Sequence, residues 1–231
     1  MTALDPLPDF LARLTGTGLT DPPAPGLPSW LGRLLDALSE GLAPVEDWAG
    51  RVHASLVRLN GRVPFSVLHD WQAGSVWPLL SPVVGPSELA GLHARAGAGQ
   101  AVPAETWRVA LEPALRAIYH RAYDYDSGYA VNYANAEVYG LANDFGEQGT
   151  REYAEYYAEL ATGANRKASA DANAIAVSEV LADCFAAAGA GYAESFPDAA
   201  VGAYARACDD PAVAYRRLAD GLADSLARAG A

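Results

Sequence analysis

One lysine, one methionine and two cysteines stand among the 231 residues of this chain. Cys184 and Cys208 lack metal-type spacing and are too few for a disulfide framework, so reduced thiols are expected. Positive charge is also scarce: sixteen basic residues face twenty-eight acidic ones, for a formal charge of −12. The basic residues are scattered, the largest groups being the pairs Arg166-Lys167 and Arg216-Arg217. Binding to nucleic acid draws its affinity from clustered Lys and Arg, so neither nucleic acid nor an anionic membrane is expected as a partner. No apolar run reaches the roughly 20 residues that a membrane span needs. The opening MTALDPLPDFLARL has no basic stretch leading into an apolar one, and a cytoplasmic protein is expected. Alternating β patterns, internal repeats, a phosphate-binding loop and a Gly-x-Ser-x-Gly elbow are all missing.

What is abundant is apolar surface. Half of the residues are hydrophobic and the mean hydropathy is +0.01, enough to fill a core and to exclude disorder. The expected fold is all-α, a compact bundle of about eight to ten helices without a sheet. Residues 1–28 read as an N-terminal arm or loop, dense in Pro and Gly after a short amphipathic segment at Phe10 to Leu14. Residues 29–231 read as a single helical domain. Within it, 29–103 holds the N-terminal helices and a Pro-rich apolar loop, and 104–231 a Tyr- and Ala-rich core bundle.

The stripe Leu31, Leu34, Leu35, Leu38 and Leu42 and the face Val45, Trp48, Val52, Leu56 and Leu59 predict two helices packed as an antiparallel pair. Residues 73–86, AGSVWPLLSPVVGP, predict an irregular apolar loop, because three prolines oppose a regular helix. Such a loop must pack on something or cover a cavity, which makes Trp77 a candidate ligand contact. His93 falls on a short surface helix.

Nine of the twelve tyrosines lie between Tyr119 and Tyr157. A helix over 128–145 carries the stripe Val131, Ala134, Val138, Leu141, Ala142 and Phe145, with Tyr129, Tyr133, Ala136 and Gly140 opposite. Apolar on nearly all sides, it reads as a central helix. Thr150 would cap a helix with Tyr153, Tyr156, Tyr157 and Leu160 facing inward. A separate Ala-rich helix, capped by Ser169, would run to about Ala188 and also be central.

Each central helix carries a pair of acids: Glu137 and Asp144 on the first, Glu179 and Asp183 on the second. If the pairs meet in a cleft with Tyr129 and Tyr133, crowding would raise a carboxylate pKa for proton transfer. The plainer reading makes them the narrow solvent window of buried helices, or partners of Arg116, Arg121 and Arg166. Tyr129, Tyr133, Asn132 and Trp77 are the candidate ligand contacts, since buried phenols need polar partners and a Tyr/Asn-rich interior suits an aromatic ligand.

His69-Asp70, with His53 sixteen residues earlier, resembles the dipeptide of the His-Asp metal phosphohydrolases. That resemblance implies a metal-dependent hydrolase, although metal sites need three or more converging ligands and the others are unassigned. Apart from it, no metal and no cofactor is expected.

Three functional expectations follow. The first is a binding protein, holding a small apolar or aromatic ligand or a protein partner in a Tyr-lined groove between the central helices, with a homodimer left open. The second is a cofactor-independent enzyme using Tyr and carboxylate groups as acid and base; the third is the hydrolase. Solid packing with acids in solvent would favour a scaffold, and an exposed apolar patch would point to a partner.

Overall fold

A computed structural model describes residues 4–16, 18–20, 24–195 and 197–230. Among these the chain is all-α, with no strand. In order, the helices are α1 (Leu7–Thr15), α2 (Ser29–Glu40), α3 (Glu46–Arg58), α4 (Ser66–Trp71), α5 (Trp77–Val84) and α6 (Leu89–Gly97), then α7 (Ala104–Ala122), α8 (Tyr125–Ala142), α9 (Gly146–Ala186), α10 (Pro197–Ala207) and α11 (Pro211–Arg228).

The apolar stripes of α2 and α3 form and are buried as their spacing predicts, with Leu31, Leu34, Leu35 and Leu38 on one and Trp48, Val52 and Leu56 on the other. They do not, however, form the expected antiparallel pair. α2 lies on α10 and α3 lies on α11, so each N-terminal helix finds its partner near the C-terminus. Two indole N–H groups tie α3 and α4 to α11. Trp48 donates to the Ala219 carbonyl and Trp71 to the Leu218 carbonyl, both at 2.8 Å. The segment read as an arm is also docked. Phe10 and Leu14 of α1 are buried, and the Asp36 carboxylate accepts from the Leu19 N–H at 2.8 and 3.0 Å and from the Thr20 hydroxyl at 3.1 Å.

Residues 73–84 are helical rather than irregular, and only Gly85 and Pro86 leave the helix. A π-turn at Gln72–Val76 joins α4 to α5, and the Trp77 N–H donates five residues back to the Gln72 carbonyl. The ring of Pro78 would strike the Gly74 carbonyl in a regular helix, and one widened turn just before it removes that clash. Pro82 likewise leaves the Pro78 carbonyl without a backbone donor, and the Ser81 hydroxyl supplies one at 3.0 Å. The π-turn abuts α11 at Gly221, where an added Cβ would lie 2.1 Å from Ser75 Oγ. Trp77 is therefore a core residue, packed near His93 and Tyr204, and not part of a loop over a cavity.

The expected break before Ser169 does not occur. α9 is one helix of 41 residues, about 60 Å long at 1.5 Å per residue. Residues 161–169 contain no proline and a single glycine, and Lys167 pairs with Asp171 one turn on, so nothing stops the helix. α7 and α8 lie end to end along it, both antiparallel. Arg116 approaches Asp171, and Arg166 donates to the His120 carbonyl, which registers α7 against the C-terminal half of α9. The Asn132 amide donates to the Thr162 hydroxyl at 2.8 Å, and Gly140 faces Thr150, which registers α8 against the N-terminal half.

Candidate functional site

α8 has α9 as its only substantial partner among the described residues. The two form a hairpin that stands off the body, and the expectation of a central helix over 128–145 is overturned. Only Ala136 and Gly140 of α8 are buried. Opposite them on α9 are Thr150, Ala154, Ala158 and Thr162. The seam is thus made of small side chains. A Cβ on Gly140 would lie 2.9 Å from Thr150 Cγ2 and 3.1 Å from its Cα, so the two backbones run too close for anything larger.

Because the seam takes the small residues, the large ones turn outward. Val131, Val138 and Leu141 on α8 and Tyr156 and Leu160 on α9 are each about 60–67% exposed. The stripe Val131, Ala134, Val138, Leu141 and Phe145 has the spacing of a helix-packing face, yet nothing among the described residues covers it. Tyr153, expected to face inward with Tyr156, Tyr157 and Leu160, is half-buried, and the other three are exposed. Rings line the flanks: Tyr125, Tyr129 and Tyr133 stack at 6.3 Å intervals, and Tyr139, Phe145 and Tyr153 cluster at the tip.

The hairpin is also strongly acidic. Between 125 and 162 it carries Asp126, Glu137, Asp144, Glu147, Glu152, Glu155 and Glu159, with Arg151 as the sole basic residue, a net charge of −6. Shielding from solvent, with Glu155 and Glu159 next in weight, raises the Tyr129 pKa above the usual phenol value.

Tyr133, Glu137 and Asp144 do come together, in a shallow depression of about 620 Å³ shared with Glu147 and Arg151. Glu179 and Asp183 do not join them. They are exposed and lie near the other end of α9, with Glu179 near Arg108 of α7. No cleft unites the two acidic pairs. Of the candidate ligand contacts, Tyr129 and Tyr133 share the ring stack, Asn132 is used by the seam, and Trp77 lies in the body.

His69 and Asp70 diverge. Asp70 is exposed and pairs with Arg228 at 2.6 Å, whereas His69 points into the core. Its Nδ1 lies 2.9 Å from Nδ1 of His93, which is fully buried and not on the surface as expected. Phe65, Trp77, Trp107 and Phe185 surround the two rings. Burial lowers the His69 pKa to about 4 and holds His93 well below its usual value, with His69 adding to the effect. Both rings are neutral at pH 7, so one Nδ1 donates and the other accepts. His53 is elsewhere, its Nε2 bonded to the Asp5 carbonyl. Among the described residues no group of three or more His, Cys, Asp or Glu side chains is placed to hold a metal ion.

The sequence signal for the outward face was present as the Val131–Phe145 stripe, but periodicity does not say what an apolar face meets. Comparison with family models, characterised proteins and solved structures finds no match to this chain. Among the described residues no helix is long and apolar enough to cross a membrane.

Proposed function

We propose that the protein is an interaction module whose α8–α9 hairpin docks a cationic amphipathic helix of a partner protein. The observation that carries this reading is the inverted hairpin, with small residues in its seam and Val131, Val138, Leu141, Tyr156 and Leu160 in solvent. Exposed apolar faces of this kind mark interaction sites on otherwise well-packed proteins. The stripe offers the spaced holes into which an amphipathic helix sets its apolar residues.

Charge selects the occupant. A second copy would bring another −6 against the first, and like charges juxtaposed across an interface oppose association. A helix with Leu- or Val-type residues on one face and Lys or Arg on its flanks would meet both the stripe and the carboxylates. This reading continues the expectation of a protein partner, but moves it from a groove between central helices to an outer face.

The test uses two designed helical peptides, one of Lys and Leu and one of Glu and Leu, titrated against the full chain by fluorescence anisotropy. The Lys/Leu peptide is expected to bind saturably and the Glu/Leu peptide not at all. The triple variant Val131→Ser, Val138→Ser, Leu160→Ser keeps every charge and is expected to lose the binding. Equal binding by that variant would reduce the effect to non-specific charge attraction and remove the proposal. A dimer in sedimentation velocity, dispersed by the same three substitutions, would replace the partner with a second copy.

A further inference from the structure

A large concavity among the described residues lies on the body, away from the hairpin face. It is a cleft of about 1000 Å³ between α5, α7, α10 and α11, with Arg166 of α9 at one edge. One wall is apolar, from Leu79, Pro82, Val83, Pro113, Val213 and Ala214. The other is cationic. Arg116 and Arg121 of α7, Arg166 of α9 and Arg217 of α11 all line it, a quarter of the basic residues in a chain of charge −12.

Not all of this charge is spent within the protein. Arg121 pairs with Asp209 at 2.6 Å, and Arg116 with Glu112 at 2.7 Å and Asp171 at 3.3 Å. The remaining lining carboxylate, Asp210, caps α11 by accepting from the Val213 N–H at 3.0 Å. Arg166 has only a neutral partner, the His120 carbonyl, and Arg217 makes no ion pair or hydrogen bond among the described residues. Two guanidinium groups thus border one apolar-walled cleft without a carboxylate of their own. Guanidinium forks match planar or tetrahedral oxyanions, and the cleft is of the size that holds small molecules.

We infer that this cleft binds a small organic anion, a carboxylate or phosphate ester carrying an apolar body, with Arg166 and Arg217 on the anionic head and Leu79, Pro82, Val83 and Val213 on the body. Inorganic anions would satisfy only one wall, and a neutral aromatic only the other. The site is independent of the hairpin proposal and shares no residue with it.

Isothermal titration of the full chain with 1-naphthyl phosphate, 1-naphthol and inorganic phosphate tests the assignment. Naphthyl phosphate is expected to bind one per chain, at least about tenfold tighter than either fragment, since each fragment forfeits one set of contacts. Arg217→Gln, at an exposed residue without bonded partners, is expected to fold normally and weaken naphthyl phosphate about tenfold, and Arg166→Gln to do likewise. Absence of saturable binding at millimolar concentration overturns the inference. So does binding that both variants retain in full, or a naphthol affinity equal to that of the phosphate. The hairpin variant Val131→Ser, Val138→Ser, Leu160→Ser should bind naphthyl phosphate as the parent does; loss of binding there would place the ligand on the hairpin and overturn the assignment as well.

Discussion

The body and the hairpin use helices in opposite ways. In the body, large side chains are inside: Trp71, Trp107, Leu31, Leu34, Leu38 and Leu111 have essentially no exposure. In the hairpin the buried positions are Ala, Gly and Thr, and Val, Leu and Tyr are outside. A buried Leu contributes roughly 1.5–3 kcal/mol, several times what a buried Ala methyl supplies. The body therefore has a reason of its own to stay folded, whereas the hairpin gains little from its own seam and leaves its largest apolar groups unsatisfied. A structure that keeps such a face exposed has the means to bury it on something else. Spectroscopy can separate the two regions, because Trp30, Trp48, Trp71, Trp77 and Trp107 are all in the body and most tyrosines are in the hairpin.

The largest expected effect tests the body. Leu111→Ala should lower unfolding free energy by about 2–5 kcal/mol, read from urea denaturation followed by tryptophan fluorescence. A loss below 1 kcal/mol would mean that α7 is not held as described.

The second prediction uses acid to drive the regions apart. His69 and His93 have folded pKa values below their unfolded ones, so their contribution is complete above about pH 6.5 and declines as pH falls toward the folded values. For His69 the decline is about 1.4 kcal/mol per pH unit between about 6.5 and about 4, with His93 adding in the same direction. The tryptophan-detected urea midpoint should fall from pH 7 to pH 5. Over the same range, hydrogen exchange of hairpin amides, corrected for intrinsic rate, should show no such loss, since no buried histidine lies there. A flat midpoint would contradict the neutral histidine pair.

A third measurement probes the seam. Gly140→Leu forces a side chain against the Thr150 backbone and should destabilise the hairpin by about 1–3 kcal/mol, seen as faster amide exchange in α8 with the tryptophan-detected midpoint unchanged. An equal loss in both regions would make hairpin and body one cooperative unit. The smallest effect is the most telling. Val138→Ala with Leu160→Ala removes apolar groups that touch little, so stability should move by less than about 0.5 kcal/mol. A loss above 1 kcal/mol would show those side chains already buried, by a second copy or by the body.

The comparison also explains which expectations held. Leu31–Leu38 and Trp48–Leu56 were legible because their stripes end in a core, as most stripes do. Val131, Val138 and Leu141 have the same spacing and end in solvent, so the same reasoning placed α8 at the centre. The tyrosines misled for a related reason: a large ring is usually buried, but Ala136, Gly140, Ala154 and Ala158 left no room for one in the seam. The acids of α9 were assigned to one cleft because the break before Ser169 was expected, and an unbroken helix instead carries Glu179 far from Glu137. His93 had no neighbours in sequence to reveal the ring nest around it.

What the chain order alone determined was local: the all-α class, the apolar faces, the proline positions and the acidity of 125–162 all follow from residue type and 3.6-residue periodicity. What only the tertiary structure decided was which face meets which. Pairing α2 with α10, joining His69 to His93 and gathering Arg116, Arg166 and Arg217 around one cleft each depend on groups distant in sequence. Periodicity records that a face is apolar, while its covering depends on close approach, and here the smallest side chains set where the largest could go.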